Sequence, residues 1–136
     1  PGGALGRKLL TLVSDLMRVG EAVPRVAPAS SASEVLRTMS SKGIGCTAVV
    51  GSDGKPVGVF TDGDLRRLIE RGADLRGLTA QAMMSASPKC VRDTQLAVEA
   101  AALMETARVN TVLVLDAAGA LVGALTSNDL LRAKVI

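Results

Sequence analysis

A seven-residue pattern, Gly-x-x-Thr-x-x-Asp, occurs twice in this chain, at Gly58/Thr61/Asp64 and at Gly123/Thr126/Asp129. Each copy closes an apolar run and opens an amphipathic one, so each falls where a strand turns into a helix. At such a corner the free N–H groups of the first helical turn and the threonine hydroxyl can hold a phosphate or carboxylate. The aspartate, three residues on and on the same helical face, can accept hydrogen bonds from adjacent sugar hydroxyls. Together these groups suit a phosphorylated sugar. They also have a plainer reading. Thr followed three residues later by Asp is close to a capping box, which serves helix stability alone, and a structural cap would be duplicated too.

Other candidates surround the two corners. Gly43, Ile44 and Gly45 precede a strand and would let backbone approach a ligand closely, although such glycines also end helices. Arg108 and Asn110 stand ahead of the corresponding strand in the second copy. Lys89 and the Arg66-Arg67 pair are candidates to line an anion site, against the alternative of basic side chains simply solvated. The chain has no histidine, which removes the commonest general base and metal ligand. Cys46 and Cys90 lie far apart without Cys-x-x-Cys spacing and read as small buried thiols of a reduced, cytoplasmic protein. Neither a nucleophile elbow nor a P-loop is present. No catalytic residue and no metal ligand is therefore assigned, and no cofactor is expected.

Composition narrows the partners. With 136 residues, 48% of them hydrophobic and 21% charged, the chain can bury one ordinary core or two small ones that share a face. No apolar run reaches the roughly 18 residues that span a bilayer, so no membrane partner is expected. The net charge of +3 comes from Lys and Arg scattered along the chain, and Phe60 is the only aromatic. That excludes a basic arm and the stacking platforms of single-strand binders, so no nucleic acid is expected either. A small anion matches this charge better than a polyanion. A chain opening on Pro1-Gly2-Gly3 reads as an excised fragment.

The elements that must position the corners also come in two copies. From Met39 to Leu65 and from Met104 to Leu130 the chain matches itself at a constant offset of 65 residues. Upstream the match loosens, with Leu16-Met17 set against Ala82-Met83 and Pro24 against Pro88. In the first copy a Ser31/Glu34 capping box opens a helix with Val35, Leu36 and Met39 on one face. Cys46–Val50 is a strand, Asp53-Gly54 a turn and Val57–Phe60 the returning strand. Thr61 then starts a helix carrying Leu65, Leu68 and Ile69. In the second copy a helix follows Asp93-Thr94, strands fall at about 110–115 and 121–125, and Thr126 opens the last helix. A short helix precedes each copy (13–18 and 79–84), and a short strand follows each of these (25–26 and 90–91). The five methionines sit at apolar helical positions as core or interface filler. The expected fold is α/β (α+β): two small three-stranded sheets with helices, packed with pseudo-twofold symmetry. Residues 1–12 form a tail, 13–72 the first domain and 73–136 the second, with a boundary near the Gly72 and Gly77 linker.

The duplicated unit ending in Gly-hydrophobic-x-Thr-x-x-Asp resembles the CBS domain, a regulatory module that comes in pairs with ligand clefts between the copies. The resemblance implies that Thr61 and Thr126 contact phosphate and that Asp64 and Asp129 contact ribose. Pro1–Leu10 with Val13–Met17, the Gly58–Arg67 stretch and the terminal Asp129–Ala133 are similar to D-arabinose 5-phosphate isomerases. In those proteins a sugar isomerase (SIS) domain precedes two CBS domains. This implies an SIS partner domain elsewhere in a parent chain, with the isomerase active site in it, and a fragment inactive alone. It further implies control of Kdo and lipopolysaccharide synthesis by a nucleotide or nucleotide-sugar effector. CMP-Kdo is the first expectation, and an adenine nucleotide (AMP, ADP or ATP) is the alternative. A ligand-free dimerisation module is a third reading. A homodimer is expected from exposed helical Leu and Met, within a tetrameric parent.

Overall fold

Apolar β-branched runs broken by Asp-Gly-type turns produce hairpins, and the amphipathic stretches on either side produce the helices that cover them. The computed structural model describes residues 2–136, apart from the side chains at positions 2–4 and 7. The element order is α1 (Gly2–Leu10), α2 (Val13–Leu16), β1 (Arg25–Val26), α3 (Ala32–Lys42), β2 (Cys46–Val50), β3 (Pro56–Thr61), α4 (Asp62–Glu70), α5 (Ala80–Met83) and β4 (Ser85–Ala86). It continues with β5 (Cys90–Arg92), α6 (Ala97–Ala107), β6 (Thr111–Leu115), β7 (Leu121–Thr126) and α7 (Ser127–Arg132). The fold is the expected mixture of α and β. The stretch read as a tail carries a helix, and the part of that reading resting on Pro1 lies outside the described residues. Among the described residues no helix is long and apolar enough to cross a membrane.

The chain forms two compact units. One is residues 21–88, and the other joins residues 1–20 to 89–136. The sequence repeat and the compact unit are thus different partitions of the same chain. The short helix that precedes each repeat packs in the unit built around the other repeat.

In the 21–88 unit the sheet order is β1-β2-β3-β4, with β1 parallel to β2 and the remaining pairs antiparallel. This corrects the three-stranded expectation, because Ser85 and Ala86 pair with Val59 and Gly58 as a fourth, edge strand. Val35, Met39, Val49, Phe60 and Met83 form its core. Ser31 Oγ caps α3 by accepting the Glu34 N–H at 3.2 Å, and Gly43 ends that helix at φ 70°. The helix α4 presents Leu68 inward, whereas Ile69 is exposed.

The unit of 1–20 and 89–136 has the sheet β5-β6-β7, again with one parallel and one antiparallel pairing. Its core holds Val13, Met104, Val112, Val114, Leu125 and Leu130. Where the other sheet has β4, this one has a single bridge, with Arg18 and Ala124 exchanging backbone hydrogen bonds at 2.8 and 3.2 Å.

This bridge fixes the upstream register of the repeat. Met17 and Met84 both end a one-turn helix, each donating its N–H back to the first residue, Val13 or Ala80. The matching pairs are therefore Leu16-Met17 with Met83-Met84, one residue later than the sequence alignment placed them.

The motif glycines explain the closeness of these edge segments. A Cβ on Gly58 would lie 2.8 Å from the Ser85 carbonyl oxygen and closer still to Met84 Sδ. A Cβ on Gly123 would lie 2.9 Å from the Arg18 carbonyl oxygen and 2.6 Å from Met17 Sδ. Backbone cannot retreat from a methyl group without breaking sheet pairing. Gly58→Ala and Gly123→Ala should each cost about 1–3 kcal/mol through overpacking. Urea unfolding at constant m-value measures this, and a cost near zero would show that the edge segments yield freely.

Candidate functional site

The two predicted corners are built alike. Thr61 is extended and caps α4, and its Oγ1 accepts the Asp64 N–H at 3.1 Å while Asp64 Oδ2 accepts the Thr61 N–H at 2.9 Å. Thr126 and Asp129 repeat this at the head of α7, with distances of 3.1 and 3.0 Å. The reciprocal bonds satisfy two backbone donors that a helix start leaves open. The capping reading is therefore realised at both corners.

Capping does not exhaust the carboxylates. Asp64 Oδ1 also accepts from Arg67 Nη2 at 2.6 Å and from Ser85 Oγ at 3.0 Å. Asp129 accepts from Arg132 Nη2 at 2.6 Å and from Arg18 through Nε and Nη2, both at 3.2 Å. Each aspartate side chain is only 10% exposed. Burial alone would raise the Asp64 carboxyl, but the Arg67 guanidinium, the Thr61 N–H and the Ser85 hydroxyl outweigh it and hold the group below the usual carboxylate range. At Asp129, burial is likewise outweighed, by the Thr126 N–H and the Arg18 guanidinium.

The surroundings differ. At the first corner the residue after the threonine is Asp62, whose N–H donates to the Gly45 carbonyl at 3.0 Å and whose carboxylate would crowd any side chain at Gly45. At the second corner Ser127 takes that place, donating to the Asn110 carbonyl at 2.9 Å. An open cavity of about 730 Å³ lies between α6 and α7, with Arg108, Asn110 and Ser127 on its polar side and Ala101, Leu130 and Val135 on its apolar side. It brings together Arg108 and Asn110 of the candidates and leaves Thr126 and Asp129 outside its wall.

The remaining candidates have mainly backbone roles. Gly43 is the left-handed cap of α3, and Ile44 joins it to Gly45, which is left-handed at φ 75°. Arg108 ends α6 in the same conformation at φ 56°. Lys89 is exposed, and its carbonyl accepts the Leu113 N–H at 3.0 Å. Cys46 is buried, and burial pushes the half-buried Cys90 thiol up. Arg18, Ser85, Ser127 and Arg132 went unassigned in the sequence. Arg132 lies three residues beyond Asp129 on one helical face and was legible there. Arg18 and Ser85 reach the aspartates across the fold, with no local signal.

Comparison with known proteins adds the lineage. The family model for the CBS domain matches residues 13–71 and again 80–136. The chain belongs to the CBS-domain family. This CBS pair is 47% identical over 136 residues to arabinose 5-phosphate isomerase KdsD of Pseudomonas aeruginosa, covering all of the chain and 42% of that relative. It therefore spans less than half the length of the curated relative it matches. Among solved structures the CBS pair is similar to CBSX2 in complex with AMP, with TM-score 0.77 and 28% identity over 92% of this chain and 96% of that one. It is also similar to the CBS domain protein PAE2072 from Pyrobaculum aerophilum complexed with AMP, with TM-score 0.78 and 27% identity over 88% of this chain and 89% of that one.

Both aspartates are more acidic in the folded chain than in the unfolded one. Their stabilisation is complete above the unfolded value of about 3.9 and is lost as pH falls through the folded values, because the unfolded chain takes up protons first. Urea midpoints should drop below about pH 4, and by less in Asp64→Asn. An unchanged slope in that variant would remove Asp64 from the account. Arg108 holds a conformation that costs a residue with a side chain roughly 1–2 kcal/mol, so Arg108→Gly should raise the melting temperature.

Proposed function

We propose that this CBS pair is a regulatory ligand-binding module of an arabinose 5-phosphate isomerase. In this reading the Thr61/Asp64 and Thr126/Asp129 corners meet the phosphate and ribose of a nucleotide or nucleotide-sugar. Gly43, Ile44, Gly45, Lys89, Arg108 and Asn110 add backbone approach and charge. The observation that carries the isomerase parentage is the match to KdsD along the whole chain. Ligand binding is supported by the AMP complexes of CBSX2 and PAE2072, each more than a quarter identical to this chain.

The isomerase activity belongs, in this proposal, to an SIS domain of the parent chain. CMP-Kdo is the leading ligand, exerting feedback on the route to Kdo and lipopolysaccharide in the cytoplasm. It combines ribose, phosphate and a sugar carboxylate, and the chain's net charge of +3 favours such an anion. The AMP-bound neighbours favour an adenine nucleotide as the second reading. A homodimer, within a tetrameric parent, is supported by the exposed apolar side chains Ile69 and Leu131 on α4 and α7. The complete capping boxes favour a ligand-free assembly module as the third.

A thermal-shift panel of CMP-Kdo, CMP, AMP, ADP and ATP separates these readings. The true effector at a hundredfold excess over its Kd should stabilise the chain by about 2.7 kcal/mol. A panel without any shift, beside stable self-association, would leave only the assembly module. Asp64→Asn should cost about 0.3–1 kcal/mol of stability through the helix dipole. It should cost ligand affinity more, because each charge-assisted hydrogen bond to a sugar hydroxyl contributes about 1.5–3 kcal/mol.

A further inference from the structure

The two corners are duplicated in sequence but not in their supply of hydrogen-bond donors. Ser85 and Arg18 hold equivalent positions, since Ser85 is bridged to Val59 and Arg18 to Ala124 one residue beyond the motif glycine. The side chain at that position points to the aspartate in both units, as a hydroxyl in one and as a guanidinium in the other.

A carboxylate offers about two acceptor sites on each oxygen. On Asp129, Oδ2 accepts from the Thr126 N–H and Arg18 Nε, and Oδ1 from Arg18 Nη2 and Arg132 Nη2. All four sites are taken. On Asp64, Oδ1 accepts from Arg67 and Ser85, while Oδ2 accepts from the Thr61 N–H and keeps one site open.

A vicinal diol needs two acceptor sites. At Asp64 it finds one open and gains the other when the Ser85 hydroxyl rotates away. At Asp129 it must evict a charged fork whose side chain is only 29% exposed, and a neutral diol offers that guanidinium no replacement charge.

We propose that Arg18 is a built-in competitor that closes the Asp129 corner, so that the chain takes one sugar diol, at Asp64. This rests on the ligand-binding reading above and sharpens it from two equivalent corners to one open corner and one guarded corner. Arg18 is then a specificity-determining residue, acting on the ligand by occupying the group the ligand would use.

Isothermal titration calorimetry of the chain, with CMP-Kdo and separately with AMP, tests this. The wild-type chain should bind one ligand per chain, losing it in Asp64→Asn and keeping it in Asp129→Asn. Arg18→Ser, which copies the other corner, should bind a second ligand. Ser85→Arg, at an exposed edge position, should weaken the first site by about tenfold or more. Should Arg18→Ser fail to fold, Ser85→Arg and the two Asn variants carry the test unaided. Two equal sites in the wild-type chain, or loss of binding in Asp129→Asn, overturn the proposal while leaving the ligand-binding reading intact. Absence of binding by either ligand to any variant overturns both.

Discussion

A carboxylate buried at the head of a helix has to find donors for both of its oxygens, or it weakens the corner it closes. Asp64 and Asp129 meet that demand in three ways at once. Each takes the N–H of its own N-cap threonine, an arginine three residues along its own helix, and a side chain from the edge segment of the sheet. The edge segment reaches the aspartate only because the motif glycine leaves room for methionine and backbone beside it. Glycine, threonine and aspartate are thus one mechanical unit: the first admits the edge, the second starts the helix, and the third ties both together. A ligand that uses the aspartate draws on the same acceptors that stabilise the fold. Any binding at that carboxylate would therefore be coupled to the stability of the corner.

The residues beside the two corners differ. Asp62 adds a second carboxylate beside Asp64, whereas Ser127 and the nearby Arg108 and Asn110 make the other unit more hospitable to anions. Duplication supplied the frame, and divergence at positions 18, 62, 85 and 127 distinguished its halves.

Much of this was legible in the residues. The Thr61 and Thr126 caps, the hairpins around Asp53-Gly54 and between the strands near 110–115 and 121–125, and the burial of Val35 and Met39 follow from local pattern, because capping, turn formation and amphipathicity are short-range effects. The fourth strand at Ser85–Ala86 was not legible, since two exposed residues carry no alternation and pair only because Gly58 lets them approach. The Ser31/Glu34 box was half right: the serine caps, but the reciprocal bond seen at Thr61 and Thr126 is not formed there. Arg108 in a left-handed cap also escaped notice, because its counterpart Gly43 advertises that conformation and arginine does not. The partners Arg18 and Ser85 lie 111 and 21 residues from their aspartates, beyond any periodicity.

The partition of the chain has a kinetic corollary. Residues 21–88 are contiguous, while their companion unit must join residues 1–20 to residues 89–136 across them. Loop-closure entropy therefore falls almost wholly on that companion, and an inner segment that has already folded shortens the loop its neighbour has to close. Arg18 and Asp129 stand on opposite sides of that inner segment in the chain. In an inner-first order of folding, the Asp129 corner, whose partner Arg18 lies on the far side of the inner segment, would form after the Asp64 corner.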